Sequence, residues 1–137
     1  FTDVADLVRF LDADPARDRP LVVLTGEAMI YFLAARHSAL EHAEYVLHLV
    51  ARDLDVPAAG PLLTSQRWLL TQLKQVRPLV VDYRRDPIRT RLARFYPAVG
   101  RYLDARYRPC VAFGSYQVFD LRCGAYGDDL TTRGGAR

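Results

Sequence analysis

Two short segments hold the residue types from which a site could be built. Thr25-Gly26-Glu27 closes the first apolar run of the chain, and Asp82-Tyr83-Arg84-Arg85 closes a later one. In open α/β sheets ligands sit beyond the carboxyl ends of the strands, where both segments would lie. Gly26 permits close backbone approach, Glu27 and Asp82 supply carboxylates, and Arg84 or Arg85 could hold a phosphate. The same residues have a plainer account, in which Gly26 only makes the turn and the arginines are solvated. They are therefore candidate ligand contacts, and no residue is assigned a catalytic role.

Other chemistry is poorly supported. The first turn lacks GxGxxG, and neither GxxxxGK[ST] nor GxSxG occurs, so neither a nucleotide cradle nor an α/β-hydrolase nucleophile is signalled. His37, His42 and His48 have neither the HExxH face nor zinc-finger spacing, and no metal or cofactor is expected. Asp128-Asp129 stands in a Gly-rich tail with no fixed geometry. Tyr96, Tyr102, Tyr107, Tyr116 and Phe119 could line a sugar-binding surface, or simply pack an edge strand against its helices. Cys110 and Cys123 are too few for a disulfide framework, and across an expected hairpin they do not face each other, which weighs against a bridge.

The positioning elements follow from periodicity and breakers. Val4, Leu7, Val8 and Leu11 recur at helical spacing behind Thr2 and Asp3, either of which can cap. Residues 21–24 are continuously apolar, as a strand buried on both faces is, and residues 28–36 resume a helix. Residues 44–50 are rich in strand formers and are expected as a second strand, with His48 partly buried in it. A loop over 56–61 leads to a helix over 66–76 capped by Thr64 or Ser65, and Pro78 stops it before a strand over 79–83. Asp86 is the expected cap of the next helix with Pro87 in its first turn, and Pro97 opens another. Residues 110–113 and 116–121 form a hairpin about Gly114-Ser115.

Strands alternating with helices predict one α/β domain over residues 1–123. The expected form is a three-layer Rossmann-like sandwich on a mainly parallel sheet with a C-terminal antiparallel hairpin. Residues 124–137 are expected to be a flexible tail with nothing to bury. Half of the 137 residues are apolar, as in an ordinary globular protein. The net charge of +3 arises from 18 Arg and one Lys against 16 acids, spread along the chain rather than gathered in a block, so no nucleic-acid partner is expected. The most lipid-like stretch, residues 21–35, is short of the ~20 residues of a membrane helix and is broken by Gly26 and Glu27. Because Phe1 is not an initiator Met, the chain reads as a fragment or processed product.

The order of several segments resembles the bacterial membrane glycosyltransferases of the GT-C superfamily. Leu21-Val22-Val23-Leu24-Thr25-Gly26-Glu27 is followed by Tyr31-Phe32-Leu33-Ala34-Ala35-Arg36, where the family has a strand ending in Gly and a short helix reading roughly YFLAGR. Ala35 stands for the usual Gly, and the usual Pro soon after Glu27 is missing. Trp68-Leu69-Leu70, Arg77-Pro78-Leu79-Val80-Val81-Asp82, and Pro97 to Phe119 through Tyr102, Tyr107 and Tyr116 continue the likeness over residues 1–122. The resemblance is to the protein O-mannosyltransferase and aminoarabinose transferase group, which moves a sugar from a polyprenyl-phosphate carrier to an acceptor outside the cytoplasm. It implies an extracytoplasmic domain at the cell membrane that is not itself catalytic, whose partner is an upstream transmembrane region of the same polypeptide. Lipid-linked sugar or a glycan or protein acceptor could also contact it. The alternative is a free-standing α/β protein that binds a small phosphorylated ligand.

Overall fold

The computed structural model describes residues 2–40, 43–52 and 65–126. Thr2–Leu11 (α1) leads through a loop to Leu21–Val23 (β1), then Ala28–Leu33 (α2), Glu44–Ala51 (α3) and Gln66–Val76 (α4). Leu79–Tyr83 (β2), Ile88–Phe95 (α5), Pro97–Arg106 (α6), Arg108–Phe113 (β3), Tyr116–Asp120 (β4) and a 3-10 turn over Gly124–Tyr126 follow. Ser65 caps α4, its Oγ accepting from the Trp68 N–H at 3.1 Å. The expected loop over 56–61, Thr64, His42 and Asp128-Asp129 lie outside the described residues.

The protein is mixed α/β. Its four strands run in the order β1-β2-β4-β3. The C-terminal hairpin forms as expected, but the sheet is not mainly parallel. Only β1 and β2 pair in parallel, while β2–β4 and β3–β4 are antiparallel. The cause is α3, which occupies the segment expected as a second strand. Leu47 and Val50 of α3 are at most 3% exposed, and their i, i+3 spacing puts them on one helical face, with Leu40 and Ala43 buried just ahead of the helix. Strand-forming composition lost to that burial pattern.

β1 and nearly all of β2 are buried on both faces, which is why they read as continuous apolar runs. Val22, Leu24, Val80 and Phe119 share one core cluster with residues of α3, α4, α5 and α6. Leu21, Val23, Leu79, Val81 and Val118 share another with Leu7 and Leu11 of α1 and Ile30 and Tyr31 of α2. Between α5 and α6 the backbones approach closely at Gly100, where an added Cβ would collide with that of Ala93. Gly100→Val should therefore lower stability by about 2 kcal/mol through overpacking, measured as a shift of the urea midpoint with the slope unchanged.

Cys110 and Cys123 are bridged, with a Cα separation of 5.2 Å. The sequence argument against a bridge assumed a regular ladder. The register passes from Pro109↔Phe119 to Val111↔Val118, so Cys110 is an extra residue in β3. Such a bulge re-aims a side chain, and Cys110 and Val111, adjacent in sequence, join the same core cluster. Nor does the chain cease to bury residues at Gly124. Tyr126 is 4% exposed, packs tilted against Phe10 with ring centroids 5.4 Å apart, and donates its hydroxyl to Asp120 at 2.7 Å. Asp120 also takes a two-pronged contact from Arg19, at 2.6 and 2.9 Å, and the Leu121 N–H at 2.7 Å.

Candidate functional site

The turns after β1 and β2 meet at one end of the sheet. β1 pairs with β2 in parallel, which brings their carboxyl ends side by side. Gly26, at φ +74°, reverses the chain after Thr25 and delivers Glu27 to this rim. The Glu27 carboxylate accepts the Tyr116 hydroxyl at 2.8 Å and the Tyr83 hydroxyl at 3.2 Å. Tyr83 and Tyr116 face each other across the β2–β4 ladder and stack with ring centroids 5.8 Å apart. One carboxylate thus bridges three strands through two phenols.

Burial raises the pKa of both phenols, and the hydrogen bond to Glu27 and its charge raise them further. Both therefore remain protonated donors at neutral pH, holding Glu27 as an oriented acceptor. Beside them Thr25 is buried, and its hydroxyl interacts with that of Tyr83, working against the rise in the phenol's pKa.

A concavity of about 430 Å³ adjoins this cluster, lined by Asp3, Tyr83, Arg84, Arg85, Gly114 and Ser115. The Arg84 N–H donates to the Ser115 carbonyl at 2.8 Å, and its guanidinium donates to the Gly114 carbonyl at 3.2 Å. Gly114 turns the hairpin at φ +59°, and a Cβ there would run into the Asp3 carboxylate. Arg84 and Arg85 thus share their concavity with an acid from α1.

Of the residues singled out in the sequence, Gly26, Glu27, Arg84 and Arg85 are brought to this end of the sheet. Asp82 is not available to a ligand. It is fully buried, its Oδ1 accepting the N–H groups of Tyr83 and Ile88 at 2.8 Å each and its Oδ2 that of Arg89 at 3.2 Å. Burial pushes its pKa up while those three bonds pull it down, leaving it above its ordinary value. Asp82 therefore caps α5 from beneath, in place of the expected Asp86. Asp86 has φ +51° and pairs with Arg91 at 3.1 Å, and α5 begins one residue after Pro87.

The aromatic set does not form one surface. Tyr96, Tyr107 and Phe119 lie in the core against α3 to α6, Tyr102 packs at its edge, and only Tyr116 reaches the site. Tyr83 closes a candidate segment and still went unsingled, because nothing local ties it to Glu27. Residue 48 is helical, and among the described residues no three His, Cys, Asp or Glu side chains are placed to share a metal ion.

Next to Glu27, α2 divides its residues by face. Tyr31 points inward, its hydroxyl accepting the Val23 N–H at 2.6 Å, and burial pushes its pKa up to about 12. Arg36 reaches back to the carbonyls of Leu11, at 2.9 Å, and Arg19. Phe32 is 82% exposed, with Met29 and Leu33 each 48% exposed, and their i, i+3, i+4 spacing makes one outward apolar face. Among the described residues no helix is long and apolar enough to cross a membrane. Compared with family models, with curated proteins and with solved structures, the chain matches none.

Proposed function

We propose that this chain is a non-catalytic, extracytoplasmic domain of an integral-membrane glycosyltransferase that takes its sugar from a polyprenyl-phosphate carrier. Its role there is to cover the membrane active site or to position the acceptor. The observation that carries the reading is the outward face of α2. Within the segment resembling YFLAGR, the fold accounts for Tyr31 and Arg36 but leaves Phe32 and Leu33, with Met29, turned to solvent. Burying a side chain such as Phe32 is worth about 2 kcal/mol, and an upstream membrane region of the same polypeptide is the partner that would bury it. The Cys110–Cys123 bridge supports an oxidising, extracytoplasmic compartment. The neighbouring Glu27, Tyr83 and Tyr116 cluster is suited to orient acceptor hydroxyls. The same proposal includes a three-layer, Rossmann-like reading of the fold, supported by helices contributing to separate clusters on the two faces of the sheet.

The test is fractionation of the native gene product, detected through this domain, with protease added from the outer side of the membrane. Integral-membrane behaviour with an accessible epitope is expected, and a freely soluble product near the chain's own 15.6 kDa would overturn the reading. In membranes, Phe32→Ser should reduce sugar transfer about ten-fold or more, in line with the loss of one buried aromatic contact. The melting temperature of the chain should stay unchanged.

A further inference from the structure

At the opposite end of the sheet from Glu27, where β2 begins and β4 finishes, six exposed cations come together. Lys74 and Arg77 stand at the end of α4, Arg101 and Arg106 on α6, Arg108 at the start of β3, and Arg122 just after β4. They line two adjoining concavities of about 590 and 310 Å³, joined through Arg77 and Tyr102. These charges, scattered in the sequence, are gathered by the topology. Among the described residues no acid is within ion-pair distance of any of the six. The bordering acids are engaged elsewhere, Asp120 with Arg19 and Asp104 with Arg89. Favourable contact with helix C-termini explains Lys74, Arg77 and Arg106. It does not explain Arg101, Arg108 or Arg122, and six uncompensated like charges repel one another unless an anionic partner faces them.

From this geometry we infer that the basic face docks on an anionic phospholipid bilayer, its arginines and lysine meeting the phosphates of several headgroups at once. The cations are spread over two helices and two strand ends, a footprint for an array of phosphates rather than a single one. A nucleic acid fits less well. Tyr102 is the one aromatic residue lining these concavities, and the Lys74 ammonium lies over its ring at 5.7 Å, leaving no open platform for base stacking. The Cys110–Cys123 bridge also belongs to an oxidising compartment, where the abundant polyanion is the lipid surface. The contact is electrostatic, separate from the apolar face of α2, and does not require the chain to belong to a glycosyltransferase.

The full chain should float with vesicles of phosphatidylglycerol and phosphatidylcholine but not with phosphatidylcholine alone. Binding should be lost on raising salt from about 0.1 M to about 1 M, where screening shortens to ~3 Å. Each cation near an anionic surface contributes about five-fold in affinity, so Arg101→Gln/Arg106→Gln/Arg122→Gln should bind about 100-fold more weakly. A control with the same net charge, Arg9→Gln/Arg17→Gln/Arg52→Gln, alters exposed arginines elsewhere and should bind nearly as the parent does. Circular dichroism of both variants separates lost binding from lost folding. Equal losses in the two triple variants, salt-insensitive binding to neutral vesicles, or tighter binding to single-stranded DNA than to anionic vesicles at equal salt would each overturn the inference.

Discussion

Asp82→Ala should destabilise the chain by about 3 kcal/mol, from the loss of a helix cap together with buried N–H groups left without an acceptor. The side chain is fully buried and serves Tyr83, Ile88 and Arg89, so water cannot replace it without opening the junction of β2 and α5. Asp82→Asn should fall between the two, because its carbonyl can still serve Tyr83 and Ile88 while its amide faces the Arg89 N–H, donor against donor. Urea unfolding of the three proteins measures this order. If Asp82→Ala were as stable as the parent, the carboxylate would not be the cap, and its place among the candidate ligand residues would reopen.

Arg19→Ala should cost a similar amount, about 3 kcal/mol at neutral pH, because it strands a buried carboxylate. Asp120 has a side chain only 4% exposed and loses both guanidinium contacts. The pH dependence should also weaken. Burial alone would raise the pKa of Asp120, but the hydrogen bonds from Arg19 and then Tyr126 bring it below its ordinary value. A lowered folded-state pKa gives stability that is present above the unfolded value, about 4, and is lost as pH falls through the folded one. The parent should therefore lose stability in acid through this group. Without Arg19, only the hydrogen bonds from Tyr126 and the Leu121 N–H are left to oppose burial, so the pKa should move up. The variant should therefore lose less stability in acid through this group than the parent does. Unfolding free energies from neutral pH down to about pH 3 check both slopes, and parallel slopes would show that Arg19 does not govern Asp120.

What could be read in advance divides by the range of the cause. Helix α1, strand β1, helix α4 and the break between α5 and α6 follow from local spacing and from Gly26, Pro78 and Pro97, and they form as expected. Helix α3 was obscured because its strand-forming composition hid the helical spacing of Leu47 and Val50. The bridge depended on a bulge that inserts Cys110, and a register shift leaves no local trace in sequence. The site was half legible. Its two turns follow from the rule that strand carboxyl ends bear sites, but Tyr116 enters through the pairing of β4 with β2. Asp82 was assigned outward, although an acid at a strand end can equally turn inward to the next helix. The basic face was invisible for the same reason as Tyr116, since its members meet only through topology.

The two-sidedness of α2 bears on how such a segment diverges. Tyr31 and Arg36 answer to the sheet and to the loop before it, whereas Phe32 and Leu33 answer to whatever lies outside. Mutations of the second kind escape the purge that unfolding imposes on the first, because they change no internal contact. What this helix docks against can therefore change without a change of fold, since Phe32 can be replaced while the inward contacts of Tyr31 and Arg36 stay as they are.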